Sequence, residues 1–247
     1  MKIKQHLPSI FTLINLFLGF LAIINTMTGD YVIACYIILA AGAFDSIDGK
    51  LARLIGISTN FGKEIDSLAD MVSFCLAPSI LVYSLYTQNM PGISGELIAS
   101  APLIMGAIRL ARFNMDYTSE NPAYFIGLPT PMNALSIASL VLFIEYFKID
   151  NPEYSQPRLL LPLILSLSYL MVSRVHYAKF PIINFNSGKK NSLRLLGVAL
   201  FIVTFIWAIF IGYPYRVLAG FVSFYLLTGI WNHLKNLGNV ESKNQET

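Results

Sequence analysis

Four aspartates stand within one stretch of 26 residues in a chain that is otherwise strongly apolar. Asp45 and Asp48 are three residues apart, and Asp66 and Asp70 are four apart, so on helices each pair shares one face. A carboxylate at the middle of a membrane costs about 2.5–3.5 kcal/mol, and several together repel one another. One or two hard divalent cations would balance such a cluster, because these ions prefer oxygen ligands.

Three residues between the two acidic pairs suit the binding of a phosphate. Gly49 and Gly62 let a backbone approach a ligand closely, and Arg53 carries a forked donor that matches phosphate oxygens. Any single aspartate here would be read more simply as part of a solvated helix end. The whole constellation, with its spacing, predicts a metal-phosphate site.

The rest of the chain has the composition of an integral membrane protein. Of 247 residues, 55% are apolar, which is far more than in an average soluble domain. Cys35 and Cys75 lie within apolar runs, which indicates reduced thiols in a membrane core. The net charge is only +3, and we expect no nucleic-acid partner.

Runs long enough to cross a bilayer, about 20 residues each, predict eight transmembrane helices. Placing Met1 inside puts 14 of the 17 Lys and Arg residues in cytoplasmic segments, which indicates that both termini are cytoplasmic. We therefore expect a multi-pass protein of the cell membrane, with one transmembrane catalytic domain over residues 1–235 and a polar tail over 236–247. The spans are predicted near residues 9–27, 31–52, 65–86, 95–113, 131–147, 158–175, 193–212 and 214–234.

The second and third spans determine the depth of the acids. The apolar run 31–44 covers roughly 21 Å as a helix, short of the hydrocarbon core of about 30 Å, so the helix must continue through Asp45 and Asp48. The run 71–86 is also slightly short, which predicts that Asp66 and Asp70 lie on the first turns of the third span. All four acids are then expected at the cytoplasmic boundary of the membrane.

The acidic segment resembles the signature of the CDP-alcohol phosphotransferase family. That signature reads D-x-x-D-G-x-x-A-R, eight residues, then G-x-x-x-D-x-x-x-D. The resemblance implies an all-α transmembrane bundle that displaces CMP from a CDP-linked lipid with an alcohol. The matching positions are Asp45, Asp48, Gly49, Ala52, Arg53, Gly62, Asp66 and Asp70.

Other stretches resemble the membrane-integral phosphatidylserine synthases within that family. The resemblance implies that the phosphatidyl group passes from CDP-diacylglycerol to the hydroxyl of L-serine, assisted by Mg²⁺ or Mn²⁺, with two ions bridging the diphosphate. It also implies a homodimer in contact with membrane lipids. The stretches are Arg109-Leu-Ala-Arg112-Phe-Asn114, Gly127-Leu-Pro-Thr-Pro131 and Ser67-Leu-Ala-Asp70-Met-Val-Ser73-Phe.

The resemblance also gives roles to individual residues. The four aspartates are implied as metal ligands, with Asp70 as the general base that removes the proton of the serine hydroxyl. The family often begins with P-N-x-x-T, whereas here Ser9 follows Pro8, although Thr12 is retained and Asn15 lies nearby. The residues expected to bind the nucleotide and the CDP-lipid are Thr12, Asn15, Gly49, Ala52, Arg53, Thr59 and Gly62.

The substrate carboxylate needs a cationic partner. We expect either Arg109 or Arg112 to hold it, with Asn114 and Thr130 nearby. The alternatives are that both arginines are topological anchors and that Thr130 caps a helix.

Two other functions compete with this interpretation. The first is a sister enzyme that uses glycerol 3-phosphate or an inositol derivative, although phosphorylated acceptors call for more basic residues than this segment offers. The second is an ion-coupled transporter, which would place its acids near the bilayer centre and often in repeated halves. The sequence leaves open whether the lipid is diacyl or an archaeal ether lipid, and whether Mg²⁺ or Mn²⁺ is bound.

Overall fold

The computed structural model describes residues 3–55, 60–115, 124–151, 160–178 and 189–245. These ranges are almost entirely helical. The helices are α1 Ile3–Met27, α2 Tyr31–Ile55, α3 Asn60–Asp70, α4 Ala77–Val82, α5 Ser94–Ala99, α6 Ala101–Met115, α7 Thr130–Asp150, α8 Leu160–Val172, α9 Lys189–Ile211 and α10 Pro214–Gln245.

The helical segments agree with a multi-pass membrane protein. Six of them are long and apolar enough to cross a membrane, and two shorter apolar helices cover Tyr31–Ile47 and Leu160–Val172. Each of the eight predicted spans overlaps one of these eight segments, of which six have the length expected of a span. The six longer ones are Ile10–Met27, Phe61–Thr87, Ser94–Met115, Thr130–Ile149, Asn191–Ile211 and Pro214–Lys235.

The chain forms two compact units, one of residues 1–119 with 129–172, the other of residues 120–128 with 173–247. In the first unit, α1 packs along α2, α7 packs against α2, and α6 packs against α8. Cys35 and Cys75 are buried in this unit as free thiols, as predicted. In the second unit, α9 packs against α10.

Helix α2 runs through the first acidic pair, as the length of its apolar run predicts. The prediction for the next span was less accurate, because α3 begins at Asn60 rather than near residue 65. Asp66 and Asp70 therefore lie in the second and third turns of α3 and not on its first turns. The physical reason is that a helix is held by backbone hydrogen bonds, which do not require apolar side chains. The helix can therefore include Lys63 and Glu64 although the apolar run begins later.

Two π-helical segments, Met71–Leu76 and Tyr83–Thr87, interrupt the α-helical geometry after Asp70. The first packs against α1, where the Ser73 hydroxyl donates a 2.8 Å hydrogen bond to the Asn15 carbonyl. Gly19 makes this approach possible, since a Cβ there would collide with the Ser73 backbone and side chain. This contact fixes the segment that directly follows Asp70 against α1.

The second unit also contains a small sheet that departs from the all-α expectation. Strand β1, Tyr124–Ile126, pairs antiparallel with strand β2, His176–Ala178. Tyr177 of β2 is completely buried, and its ring stacks on that of Tyr225 in α10 at 5.6 Å. The pairing supplies hydrogen bonds to backbone groups of these non-helical segments.

Candidate functional site

Three of the four predicted acids converge in the structure. Asp45 of α2 and Asp66 and Asp70 of α3 each direct one carboxylate oxygen into a group in which all oxygens lie within 4.8 Å of one another. Asp66 and Asp70 face the same way because they are four residues apart on one helix. Asp48 follows Asp45 on α2, but its side chain lies outside the described part of the chain.

The chemistry of this cluster fits a hard divalent cation. Only oxygen ligands are offered, and three carboxylates at this separation repel one another unless positive charge lies between them. Asp70 Oδ1 is buried and meets no hydrogen-bond partner among the described residues, while Asp70 Oδ2 accepts from Thr130 Oγ1 at 3.5 Å. One carboxylate oxygen of Asp70 is thus left for an ion or a substrate.

The Arg109 guanidinium supplies positive charge beside the acids. Arg109 is only 8% exposed, and its charge interacts with the carboxylate of Asp70. Helix α6 comes this close because Gly106, one turn earlier, leaves room for the Cys75 side chain, which a Cβ at Gly106 would strike. Thr130, at the start of α7, lies beside the same glycine.

Arg112 has a different environment from Arg109. Its Nη1 donates to the Val172 carbonyl at 3.2 Å, and its Nη2 donates to the Met171 carbonyl at 3.4 Å. These carbonyls end helix α8, where backbone acceptors have no partner within the helix. Arg112 therefore caps α8, although the sequence alone did not separate it from Arg109.

Asn114 links α6 to α3 at the exposed edge of the site. Its Nδ2 donates to Ser67 Oγ at 3.1 Å, and Ser67 directly follows Asp66. Both side chains are accessible to solvent. Of the residues predicted from sequence, Thr130 thus contacts Asp70, and Asn114 contacts Ser67, the residue after Asp66.

Two of the residues expected to bind the nucleotide lie buried on α1. Thr12 is 4% exposed and Asn15 is 1% exposed. Neither Asn15 Nδ2 nor Asn15 Oδ1 has a hydrogen-bond partner in the described ranges. Gly62 lies on α3 in the turn before Asp66. The side chains of α2 residues Ala52 and Arg53, the surroundings of Gly49, and the whole of Thr59 lie outside the described residues.

Asn133 is a polar residue of this region that the sequence reasoning did not single out. It is completely buried on α7, one turn after Thr130, and both amide atoms are without a hydrogen-bond partner in the part of the chain that the structure describes. Leaving such a group unsatisfied costs about 1–3 kcal/mol. The signal in the sequence was a single carboxamide within the run Met132-Asn-Ala-Leu-Ser-Ile137.

The sequence matches the profile of CDP-alcohol phosphatidyltransferases over residues 5–177, which include every described acid and both arginines of the site. The chain belongs to the CDP-alcohol phosphatidyltransferase family. This result confirms the family predicted from the acidic signature, and it makes the protein an enzyme of the transferase class.

Individual family members with curated names are similar over most of their length. A CDP-diacylglycerol–serine O-phosphatidyltransferase of Helicobacter pylori is 34% identical over 227 residues, or 90% of this chain and 89% of the relative. A Bacillus subtilis protein of the same name is 35% identical over 190 residues, or 76% and 99%. An archaetidylserine synthase of Methanothermobacter thermautotrophicus is 33% identical over 177 residues, or 70% of each chain.

Proposed function

We propose that this protein transfers the phosphatidyl group of CDP-diacylglycerol to the hydroxyl of L-serine, giving phosphatidylserine and CMP. The observation that carries the proposal is the convergence of Asp45, Asp66 and Asp70, which lie within the segment that matches the family. Relatives named for this reaction align with up to 90% of the chain, which supports serine as the acceptor.

The acidic cluster would hold the divalent ions of the reaction. Asp45, Asp66 and Asp70, together with Asp48, offer enough carboxylate oxygens for one or two Mg²⁺ or Mn²⁺ ions. When bound, such ions neutralise the charge of the diphosphate and stabilise the entering and leaving oxygens.

Asp70 is the general base in this proposal. Its buried Oδ1 takes the proton from the serine hydroxyl, while Thr130 Oγ1 holds Oδ2 in place. The serine oxygen then forms a bond to the phosphorus that carries diacylglycerol, and the bond from that phosphorus to the CMP oxygen breaks with its electron pair. General base assistance of this kind contributes roughly 10²–10⁴-fold in rate.

Arg109 is the residue that holds the carboxylate of serine. It is nearly buried beside Asp70, so a substrate carboxylate placed there pairs with a guanidinium in a dry environment. Arg112 instead donates hydrogen bonds to the last carbonyls of α8, and its role in this proposal is to stabilise the end of that helix. Asn114, with Ser67, borders the solvent side of the acceptor site.

The nucleotide and diphosphate lie between α1 and α2 in this proposal. The unsatisfied carboxamide of Asn15 supports a polar ligand at this position, with Thr12 one turn away on the same face. The remaining contacts are proposed from the family signature. They are Gly49, Ala52, Arg53, Thr59 and Gly62.

We also propose how the molecule is arranged in the cell. Eight spans with both termini in the cytoplasm put the acids at the cytoplasmic face of the cell membrane, where the positive charges of the chain concentrate. Residues 1–235 form one catalytic domain, residues 236–247 form a polar tail, and two copies associate as a homodimer among membrane lipids.

A panel of acceptors tests the proposed reaction. Purified protein with Mg²⁺ or Mn²⁺ and CDP-diacylglycerol is mixed with L-serine, glycerol 3-phosphate or inositol, and CMP release is measured. We expect turnover with L-serine, no turnover after chelation, and none in Asp70→Asn with an unchanged circular dichroism spectrum. CMP release with another acceptor but not with L-serine would identify a sister enzyme, and no CMP release at all would favour a transporter. The same assay with a CDP-linked ether lipid distinguishes the two lipid backbones.

A further inference from the structure

The carboxamide of Asn133 has no part in the reaction as described above. The side chain is 0% exposed, and its amide nitrogen and oxygen both lack a hydrogen-bond partner as far as the described residues extend. The Asn133 backbone N–H donates to the Pro129 carbonyl at 3.0 Å, so the main chain is satisfied by α7 itself. Two donors and one acceptor of the side chain therefore face a dry interior.

Asn133 shares a face of α7 with a residue that contacts the acidic cluster. Thr130, three residues earlier, places its hydroxyl 3.5 Å from Asp70 Oδ2, and residues three apart on a helix are neighbours. The helical rise puts Asn133 about 4.5 Å further along the axis. Asp70 Oδ1 is likewise buried and without a partner within the described ranges. Asp70 contacts Thr130, and Asn133 lies one turn beyond Thr130 on α7, so these two enclosed polar groups indicate a small polar ligand that satisfies both.

We propose that Asn133 binds the amino group of the acceptor, a hydroxyl-bearing α-amino acid. This inference rests on the proposed function. Asn133 Oδ1 accepts a hydrogen bond from the substrate ammonium, while Asp70 meets the hydroxyl and Arg109 meets the carboxylate. The hydroxyl and amino groups of serine are separated by two carbon atoms, so one small substrate can present both groups to neighbouring side chains.

A neutral carboxamide suits an ammonium better than a phosphorylated acceptor. An amide oxygen accepts a hydrogen bond from an ammonium, whereas the oxygens of a phosphate are themselves acceptors and cannot bond to Asn133 Oδ1. A site built to bond a polar substrate group rejects analogues that lack the group, because its own buried atoms are then left unpaired. Asn133 therefore makes the site selective for L-serine over 3-hydroxypropionate, which has the hydroxyl and carboxylate but no amino group.

The first test compares Asn133→Ala with Ser136→Ala. Ser136 is a matched control, because it is completely buried on the same helix but donates to the Met132 carbonyl at 2.7 Å. We expect Asn133→Ala to raise the KM for L-serine roughly 10–100-fold and to leave the KM for CDP-diacylglycerol within about twofold. Ser136→Ala should change neither constant. An unchanged KM for L-serine, or a change confined to CDP-diacylglycerol, would overturn the proposal.

The second test separates ligand binding from a structural role. Asn133→Leu keeps the number and branching of the heavy side-chain atoms but removes the unsatisfied amide. If Asn133 serves to bind the ligand, this substitution should stabilise the ligand-free protein. We therefore expect a higher Tm without substrate together with the loss of serine binding. A variant that melts lower than the wild type, or does not fold, would show that the carboxamide is structural.

CMP release by the wild-type protein distinguishes a failure of the proposed function from a failure of the role proposed for Asn133. If the wild-type protein releases no CMP with L-serine, the proposed function fails, whatever the variants do. If it turns over L-serine and discriminates against 3-hydroxypropionate, but Asn133→Ala retains the same KM and the same discrimination, only the role of Asn133 is rejected.

Discussion

At the scale of single residues, the site is a place where charge is concentrated rather than avoided. Three carboxylates from α2 and α3 meet within 4.8 Å, and Arg109 is nearly buried beside them. A structure optimised for stability alone would separate these acids, because like charges that share a site destabilise one another. We therefore expect the acidic cluster to lower the stability of the ligand-free protein while being required for its activity.

Neutralising one acid should therefore raise the stability of the ligand-free protein and lower its activity. We expect Asp66→Asn to raise the Tm in EDTA by a few degrees, since about 1 kcal/mol corresponds to roughly 2–4 °C in a chain of this size. The same change should lower kcat by at least about 10²-fold and weaken the rise in Tm produced by Mg²⁺ or Mn²⁺. Glu64→Gln is the control, because it removes an exposed acid of the same helix outside the cluster. An equal effect of both substitutions would contradict a role specific to the cluster.

The two arginines of α6 should respond differently to lysine. Arg109→Lys is expected to raise the KM for L-serine by about tenfold or more, because a lysine offers no planar fork for a carboxylate. Arg112→Lys should leave this KM unchanged and lower the Tm, since the hydrogen bonds to the Val172 and Met171 carbonyls are lost. Steady-state kinetics and thermal melting in detergent measure both effects. An unchanged KM for L-serine in both variants would reject an arginine as the carboxylate partner.

At the scale of elements, the site depends on how closely the helices approach the π-helical segment Met71–Leu76. π-helical turns occur often at functional sites, and here one directly follows Asp70. Glycines on two neighbouring helices, Gly19 on α1 and Gly106 on α6, leave the space that its side chains occupy. The position of Asp70 is thus set by packing that involves three helical elements.

Adding a methyl group at Gly19 should disturb this packing. The new Cβ would collide with Ser73, including its backbone, so α1 must move and the bond from Ser73 Oγ to the Asn15 carbonyl is lost. Overpacking of this kind costs about 1–3 kcal/mol, and we expect a lower Tm together with a lower kcat. Gly42→Ala is the control, because its nearest contact is the Phe74 ring at an ordinary 3.8 Å. A Gly19→Ala variant as stable as Gly42→Ala would contradict this packing.

The sequence predicted some elements well and others not at all. The continuation of α2 through Asp45 followed from bilayer thickness, and the shared face of Asp66 and Asp70 followed from helical periodicity. The π-helical geometry had no such signal, because it changes a hydrogen-bond pattern without requiring particular residues. The β1–β2 pairing joins two segments about 50 positions apart. Each segment has only three residues, which is too few for a periodic pattern to appear in the sequence.

The same contrast holds for individual site residues. The four aspartates formed a pattern that ordinary helix ends do not show, whereas Arg109 and Arg112 looked alike until their partners were known. Asn133 was missed because one carboxamide in an apolar run does not reveal whether its bonds are satisfied. Satisfaction of buried polar groups is a tertiary property, and it is here that the structure adds most to the site.

At the scale of the whole molecule, the described residues of the candidate site all lie in the first compact unit, residues 1–119 with 129–172. The profile of the family ends at residue 177, close to the end of that unit. Helices α9 and α10 follow in the second unit, and the surface of α9 is largely apolar and exposed. The described residues of the candidate site and the two helices α9 and α10 thus belong to different compact units.

The number of spans is decided by the two shorter apolar helices. Tyr31–Ile47 reaches about 25 Å and Leu160–Val172 about 20 Å at 1.5 Å per residue, both less than a hydrocarbon core of about 30 Å. We nevertheless expect both to cross, because α2 extends to Ile55 and because crossing keeps the basic residues on one side.

Single cysteines placed at Asp30 and Thr59, in a chain whose Cys35 and Cys75 are replaced by serine, should then label from opposite faces of sealed vesicles. Cysteines at Asn151 and Arg174 report on the second short helix in the same way. Labelling of either pair from the same face would remove that helix from the spans, and the helices that follow it would change orientation.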